Sequence, residues 1–280
     1  MKIGISTFVT DTTMRPDVLA RAVEDRGFES LFLPEHSHVP ASRETPFPFG
    51  EPLPTPYFRV WDPFVALAAA AVTTSTLRLG TGVILLVQRD VIQTAKEIAC
   101  LDLLSNGRLV VGVGAGWNRE EMRNHGTDPV TRGALLDEQI TALRAIWTSE
   151  TAEYHGEHVD FAPFYQWPKP MQQPCPPIFI GGGSRAAVTR AVRLGDGWMP
   201  IAVDDPDQVG SQVERMSAAA KPGHPITVLM ASQKPELLAA YAEAEVDRVT
   251  LFLPVKSETE ALRRLDGLAA VADRHGLLVE

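Results

Sequence analysis

Three consecutive glycines and a serine, Gly181-Gly182-Gly183-Ser184, are the clearest chemical signal in the chain. Backbone without side chains lets a ligand come close, and a serine at a helix start can cap that helix. The helix N-terminus then offers free N–H groups and a partial positive charge to an anion such as a phosphate. Arg185 adds a mobile cation. One glycine would satisfy an ordinary tight turn, whereas three favour an anion site. A second run, Gly112-Val113-Gly114-Ala115-Gly116-Trp117, clears side chains from one place and leaves room for a flat ring system, although glycines also permit bulges. His36 follows an acidic Glu35, and a histidine can donate a proton, accept one or contact a substrate. A lone histidine is more often structural, so its meaning rests on where the fold puts it. The other histidines (His38, His125, His155, His158, His224, His275) have no zinc-ligand spacing, and there is no Ser/His/Asp order, P-loop or paired-cysteine motif.

The elements that must position these residues repeat one unit. Lys2 to Val9 alternates like a strand, Pro16 to Arg26 carries apolar residues at helical spacing, and Gly27 stops that helix. Further strands are expected at Ser30–Pro34, Leu77–Leu86, Arg108–Ala115, Ile178–Gly181, Trp198–Ala202, Ile226–Ala231 and Arg248–Pro254. Helices are expected from Asp62-Pro63, across Asp90–Ser105, from Asn118 to Ser149 with a break near Gly126 and Pro129, and across Ser184–Leu194. Others open at Asp205-Pro206 and at a capping box of Ser257 with Glu260. Eight strands alternating with helices is the order of a parallel (β/α)8 TIM barrel, an α/β fold. Strands apolar almost throughout, such as Leu109 to Val113, fit a sheet buried on both faces. An open doubly wound sheet would show an early G-x-G-x-x-G turn after its first strand, and none is present. The whole span 1–280 reads as a single domain. In such barrels the reactive groups sit just after the strands, which selects Phe8 and Val9, Glu35 and His36, Gly82 to Leu85, Gly114 to Asn118, Gly181 to Ser184, Met199 to Ile201, Ala231-Ser232 and Pro254.

Two segments interrupt the rhythm. From Ser37 to Trp61, after strand two, six prolines are interspersed with Phe47, Phe49, Tyr57, Phe58 and Trp61, which reads as an insertion packed over the barrel mouth. Before strand five, Tyr154–Phe161 looks like a short hairpin with His155-Gly156-Glu157 at its tip.

Composition narrows the functional classes. A net charge of −9, spread along the chain, argues against a nucleic-acid or anionic-membrane surface. Phe64 to Val72, the longest apolar stretch, is too short to span a bilayer. The two cysteines, Cys100 and Cys175, fit a reduced compartment, and the opening MKIGISTFVT does not read as a signal peptide, so a cytoplasmic protein is expected. A Schiff-base aldolase is disfavoured, because no lysine lies between Lys2 and Lys96 and Lys96 falls on a helix.

Taken together these residues resemble the luciferase-like monooxygenase superfamily, most closely the branch that uses the deazaflavin coenzyme F420. The resemblance covers nearly the whole chain. It is carried by Leu31 to His36, Leu79 to Val83, Leu101 to Arg108, Gly112 to Trp117 with Glu120-Glu121, Gly181 to Ser184, and Gly195-Asp196-Gly197-Trp198. It implies a barrel with the cofactor at its C-terminal mouth. It also implies a non-prolyl cis peptide at Gly82–Val83, with Gly82, Val83 and Ile84 behind the ring, and a phosphate site at Gly181 to Ser184. His36 would be the catalytic residue, facing the reactive part of the ring, with Phe8, Glu35, Gly114, Ala115, Gly116 and Trp117 also lining the cofactor. Two departures matter. Members that bind flavin mononucleotide (FMN) often have an arginine after strand four, where Gly114-Ala115-Gly116 stands here. Relatives acting on sugar phosphates have a glutamate where Trp117 stands. The expectation is an F420-dependent oxidoreductase acting on a small organic substrate, a homodimer by family resemblance, with no metal. The alternatives are a reduced-FMN monooxygenase of the same fold and a non-catalytic flavin-binding barrel.

Overall fold

The computed structural model describes residues 1–217, 223–254, 257–274 and 276–278; His275 lies outside them. The chain runs through β1 (Lys2–Ser6), α1 (Pro16–Glu24), β2 (Ser30–Leu33), α2 (Pro63–Thr73), β3 (Arg78–Thr81) and β4 (Ile84–Leu85). It continues through α3 (Val91–Leu104), β5 (Leu109–Gly114), α4 (Arg119–Asn124), α5 (Arg132–Thr148), β6 (Thr151–His155) and β7 (Asp160–Tyr165). Then follow β8 (Ile178–Gly181), α6 (Arg185–Leu194), β9 (Gly197–Met199), α7 (Pro206–Ser217), β10 (Thr227–Ala231), α8 (Pro235–Glu243), β11 (Arg248–Phe252) and α9 (Glu258–Arg274).

Eight strands pair in parallel in the order β10-β11-β1-β2-β3-β5-β8-β9. The two ends of that order meet through the bridges Trp198↔Ile226 and Ile201↔Leu229, so the sheet closes into a nearly complete barrel. Where the sequence suggests one strand over Leu77–Leu86, the structure has two pieces, separated by a cis peptide at Gly82–Val83. The sixth strand pairs regularly only over Gly197–Met199, shorter than its pattern suggests. The hairpin before the fifth barrel strand is present and longer than expected, β6 pairing antiparallel with β7.

Helix starts follow their caps. Asp62 accepts from Phe64 N and Val65 N, Asp90 from Gln93 N and Ser184 from Ala187 N, each satisfying backbone donors that the first turn leaves free. Two apolar layers result. The outer one lies between strands and helices. The inner one, inside the barrel, is Phe32, Val110, Phe179, Met199 and Leu229. Aromatic rings fit there because glycine faces them: a Cβ on Gly80 would overlap the Phe32 ring, and one on Gly197 the Phe179 ring. Large residues against glycines fill the barrel as a packed core, not a pore.

The end of the barrel away from the glycine turns is closed by charge. Arg248 donates to both Glu29 oxygens, at 2.6 and 2.7 Å, in a buried pair beneath Phe32. Burial pushes the Glu29 carboxyl up, but the Arg248 bonds and charge outweigh it and leave it below its ordinary 4.5. A depressed carboxylate contributes stability above its unfolded pKa and loses it as pH falls through the folded one. Thermal melts of the wild type and Glu29→Gln should therefore differ most above pH 5 and converge on acidification; a gap independent of pH would remove Glu29 from this role. The run Leu101–Arg108 works at the same end. Buried Asp102 accepts from Gln172 N and Nε2, and Arg108 donates to Ala71, Thr74, Leu77 and Ser105 carbonyls.

Candidate active site

At the opposite end, the strand termini and the Ser37–Trp61 insertion enclose a cavity of about 750 Å³. Of the fourteen residues expected to line the cofactor, thirteen line this cavity: Phe8, Glu35, His36, Gly82, Val83, Gly114 to Trp117, and Gly181 to Ser184; Leu85, Met199 and Ile201, also expected at strand ends, line it too. Ile84 does not. Its side chain is fully buried in the outer apolar layer, because the bend at Gly82–Val83 turns Val83 toward the barrel axis and Ile84 away.

The glycines serve different ends. A Cβ on Gly114 or Gly181 would fall 2.8 Å from a Val83 methyl, so those two positions make room for Val83. Gly116 and Gly182 have φ of +72° and +104°, a left-handed backbone that suits glycine. Gly183 has open space where its Cβ would be. Trp198, buried below, donates from Nε1 to Gly182 O at 2.7 Å and holds the turn in place. This cradle at the N-terminus of α6 matches what an anionic group requires. Arg185 is exposed and does not line the cavity, whereas Arg132 and Arg190 do. Arg190 is paired with Asp137, and Arg132 donates to Pro129 O.

His36 sits at the wall, its side chain 7% exposed. Its Nδ1 is 2.9 Å from Oε2 of Glu121, a carboxylate with no exposed surface that also accepts from Ser37 N at 3.0 Å. Burial pushes the Glu121 carboxyl up; the bond to His36, its charge, and the Ser37 and His38 amides prevail and hold it below the usual range. With Nδ1 committed to Glu121, Nε2 is the ring nitrogen left for a ligand. The rings of Tyr57 and Trp117 flank the imidazole, with centroids 5.2 and 5.9 Å away. Burial raises the Tyr57 hydroxyl to about 12, so it stays protonated at neutral pH.

Glu35 does not point its charge at the cavity. Its Oε2 accepts from Leu85 N at 2.6 Å and its Oε1 from Arg89 Nε at 2.6 Å, so it anchors the strand piece that follows the bend. Arg89 in turn binds Asp62 and Glu97. Sequence reasoning missed Glu121 and Arg89 as parts of this place, and named Tyr57 only as one aromatic of the insertion over the mouth. The available signals were slight: an acidic pair in the first turn of a helix starting at a strand end, and an aromatic in the insertion. The insertion itself lies where expected, over the mouth. Glu120 accepts from Thr45 N at 2.6 Å, and Phe47 packs on Tyr57 and Trp117. Among the described residues no cluster of His, Cys, Asp and Glu could hold a metal ion, and no helix is long and apolar enough to cross a membrane.

Comparison with known proteins gives a consistent picture. The family model described as luciferase-like monooxygenase matches residues 17–249. An uncharacterised protein of Mycobacterium tuberculosis is 39% identical over 276 residues, covering 96% of this chain and 98% of its own. An FMNH2-dependent dimethylsulfone monooxygenase of Pseudomonas putida is 33% identical over 172 residues, 60% of this chain and 46% of its own. Among solved structures, the monooxygenase RslO1 of Streptomyces bottropensis superposes with a TM-score of 0.78 at 22% identity, over 99% of this chain and 100% of its own. An F420-dependent secondary alcohol dehydrogenase does so with 0.75 at 17% identity, over 97% of this chain and 99% of its own. At these identities the two structures speak for the fold.

Proposed function

Because the chain belongs to the luciferase-like monooxygenase family, we propose that it is an F420-dependent oxidoreductase, residues 1–280 acting as one catalytic unit. The observation that carries this reading is His36, held by buried Glu121 at the wall of a cavity floored by Val83 and glycine turns. The residues present fit such a cofactor: the flat apolar wall of Gly82 and Val83 suits a ring face, and the open cradle at Gly182, Gly183 and Ser184 suits its phosphate. When bound, the deazaflavin would supply or accept one hydride and, lacking the ring nitrogen that makes ordinary flavins reactive toward oxygen, would do so without oxygen chemistry.

The chain's own residues have three tasks. Val83 and the glycine turns orient the cofactor. The rings of Phe8, Phe47, Tyr57 and Trp117 exclude water from the reacting centre. His36 Nε2 holds or gives the proton that balances hydride transfer at a substrate oxygen, and Glu121 keeps the ring in the tautomer that allows it. The second reading, a reduced-FMN monooxygenase, is favoured by the likeness to the dimethylsulfone monooxygenase.

Titration of the purified protein with F420 and with FMN, followed by fluorescence quenching, separates the two. Micromolar or tighter binding of F420 with much weaker FMN is expected; preference for FMN moves the protein to the second reading, and binding of neither removes the cofactor assignment. Gly183→Asp tests the phosphate cradle. The position has open space for a side chain, so stability should not change, while a carboxylate at a few ångströms from a phosphate costs roughly 1–4 kcal/mol. Cofactor Kd should rise at least about fivefold, and an unchanged Kd would place the phosphate elsewhere.

A further inference from the structure

Beside the cavity just described, and sharing Phe8, Phe49, Tyr57, Ile201 and Met230 with it as lining residues, lies a second lobe of about 860 Å³. Its wall is made by Phe8, Phe47, Phe49, Tyr57 and Phe252 with prolines of the insertion. Its polar atoms are largely spent on one another. Thr7 Oγ1 donates to Leu253 O at 2.6 Å, Thr13 Oγ1 donates to Thr10 O at 3.0 Å, and Thr10 Oγ1 meets Thr12 Oγ1 at 3.1 Å. Among the described residues Arg59 is the one charged residue lining the lobe, and Asp11 accepts from its Nε at 2.7 Å and also from its terminal nitrogen. That two-bond pair leaves the lobe without net charge. Met230, at the irregularity in the pairing of β10 with β11, takes φ of +61° and lines both lobes. A non-glycine residue in that conformation is disfavoured and marks functional places. Here it sets an adaptable, unbranched side chain at the junction.

We propose that this second lobe is the substrate site and that it selects an uncharged, hydrocarbon-rich carbonyl compound or its alcohol. The hydrocarbon body would lie among the aromatic rings and the oxygen toward Tyr57 and His36; carboxylates and sugar phosphates are refused. A lobe whose Thr7, Thr10, Thr12 and Thr13 are bonded within the protein and whose arginine is neutralised gives little return for the desolvation of a charged or polyhydroxylated ligand, while aromatic walls favour an apolar one. The proposal rests on the oxidoreductase reading for its location beside the reacting centre. In the reducing direction one hydride from the reduced cofactor adds to the carbonyl carbon and one proton from His36 to its oxygen; in the oxidising direction both leave the alcohol.

The test is calorimetric titration of two isosteric probes, 2-acetylnaphthalene and 2-naphthoate, with F420 and FMN titrated separately on the same samples. The ketone should bind at least tenfold more tightly than the carboxylate. Asp11→Asn, an exposed change, frees Arg59 and should raise carboxylate affinity about tenfold while the ketone stays within about threefold. Phe252→Glu, whose side chain lines this lobe and not the cofactor cavity, should weaken the ketone at least tenfold and leave cofactor Kd unchanged. Equal binding of the two probes, binding of neither, or a ratio indifferent to Asp11→Asn would overturn the proposal. The expected probe pattern without binding of either cofactor would instead sink the oxidoreductase reading and leave the lobe's selectivity standing.

Discussion

Glu121→Gln is expected to lower kcat roughly 10²- to 10³-fold while cofactor Kd stays within about threefold. The argument is one of hydrogen-bond count. In the wild type both carboxylate oxygens accept, one from His36 Nδ1 and the other from Ser37 N and, at 3.3 Å, from Ser37 Oγ. A glutamine keeps the shape but turns one acceptor into a donor. If the amide NH2 faces His36, the imidazole must switch tautomer and Nε2 loses its readiness to take a proton. If it faces Ser37, two donors oppose each other where the side chain has no exposed surface. Either way an imidazolium at His36 loses its buried counter-charge. Glu121 touches no ligand atom in this scheme, so it is a positioning residue. The readout that separates positioning from mere structure is the split between kcat and cofactor affinity, together with the double variant. His36→Asn/Glu121→Gln should be no worse than His36→Asn alone, since the two act as a unit. Strict additivity of the two losses, or a Glu121→Gln enzyme with normal kcat, would refute the role.

Arg89→Leu is expected to cost about 3–5 kcal/mol of stability, a fall of roughly 10 °C in Tm. Arg89 joins Glu35, Asp62 and Glu97 and lies over the Phe64 ring at 4.7 Å. Burial weakens its charge, and the carboxylates around it more than restore it. Removing the guanidinium leaves the Glu35 carboxylate, 7% exposed, with no opposite charge. Glu35 also accepts from Leu85 N, so the damage reaches the strand piece behind the Gly82–Val83 bend. Cofactor affinity should therefore fall along with stability. Glu35→Gln in the Arg89→Leu background removes the orphaned charge and should recover part of the loss. A single variant within 1 kcal/mol of wild type would mean that solvent reaches Glu35 more readily than its burial suggests.

Much of this architecture is written locally. The α-helical starts at Asp62-Pro63 and Ser184, the stop at Gly27 and the almost wholly apolar strand Leu109–Val113 each follow from the chemistry of a few neighbouring residues. The alternation of such units leads to a parallel barrel, and the barrel rule leads to its strand ends as the place for chemistry. Thirteen of the fourteen residues that the family resemblance assigns to the cofactor at those strand ends, including His36 and the Gly181–Ser184 turn, line one cavity.

Side-chain direction and partnership were not legible. Ile84 was grouped with Gly82 and Val83 because the three are consecutive, yet the bend between strand pieces sends it into the outer layer. Glu35 lines the cavity as its position suggests, but its carboxylate is spent on Leu85 and Arg89, 50 and 54 residues away. Glu121 meets His36 across 85 residues, and Asp11 meets Arg59 across 48. Periodicity, caps and glycine turns are short-range effects, settled within a few residues of backbone, and so the sequence alone determined most of the elements, their order and the end of the barrel where the cavity lies. Which carboxylate stands behind His36, which arginine is neutralised and which glycine is filled by Val83 depend on contacts between distant segments. Those contacts exist only once the strands close and burial makes each unpaired polar group too costly to leave.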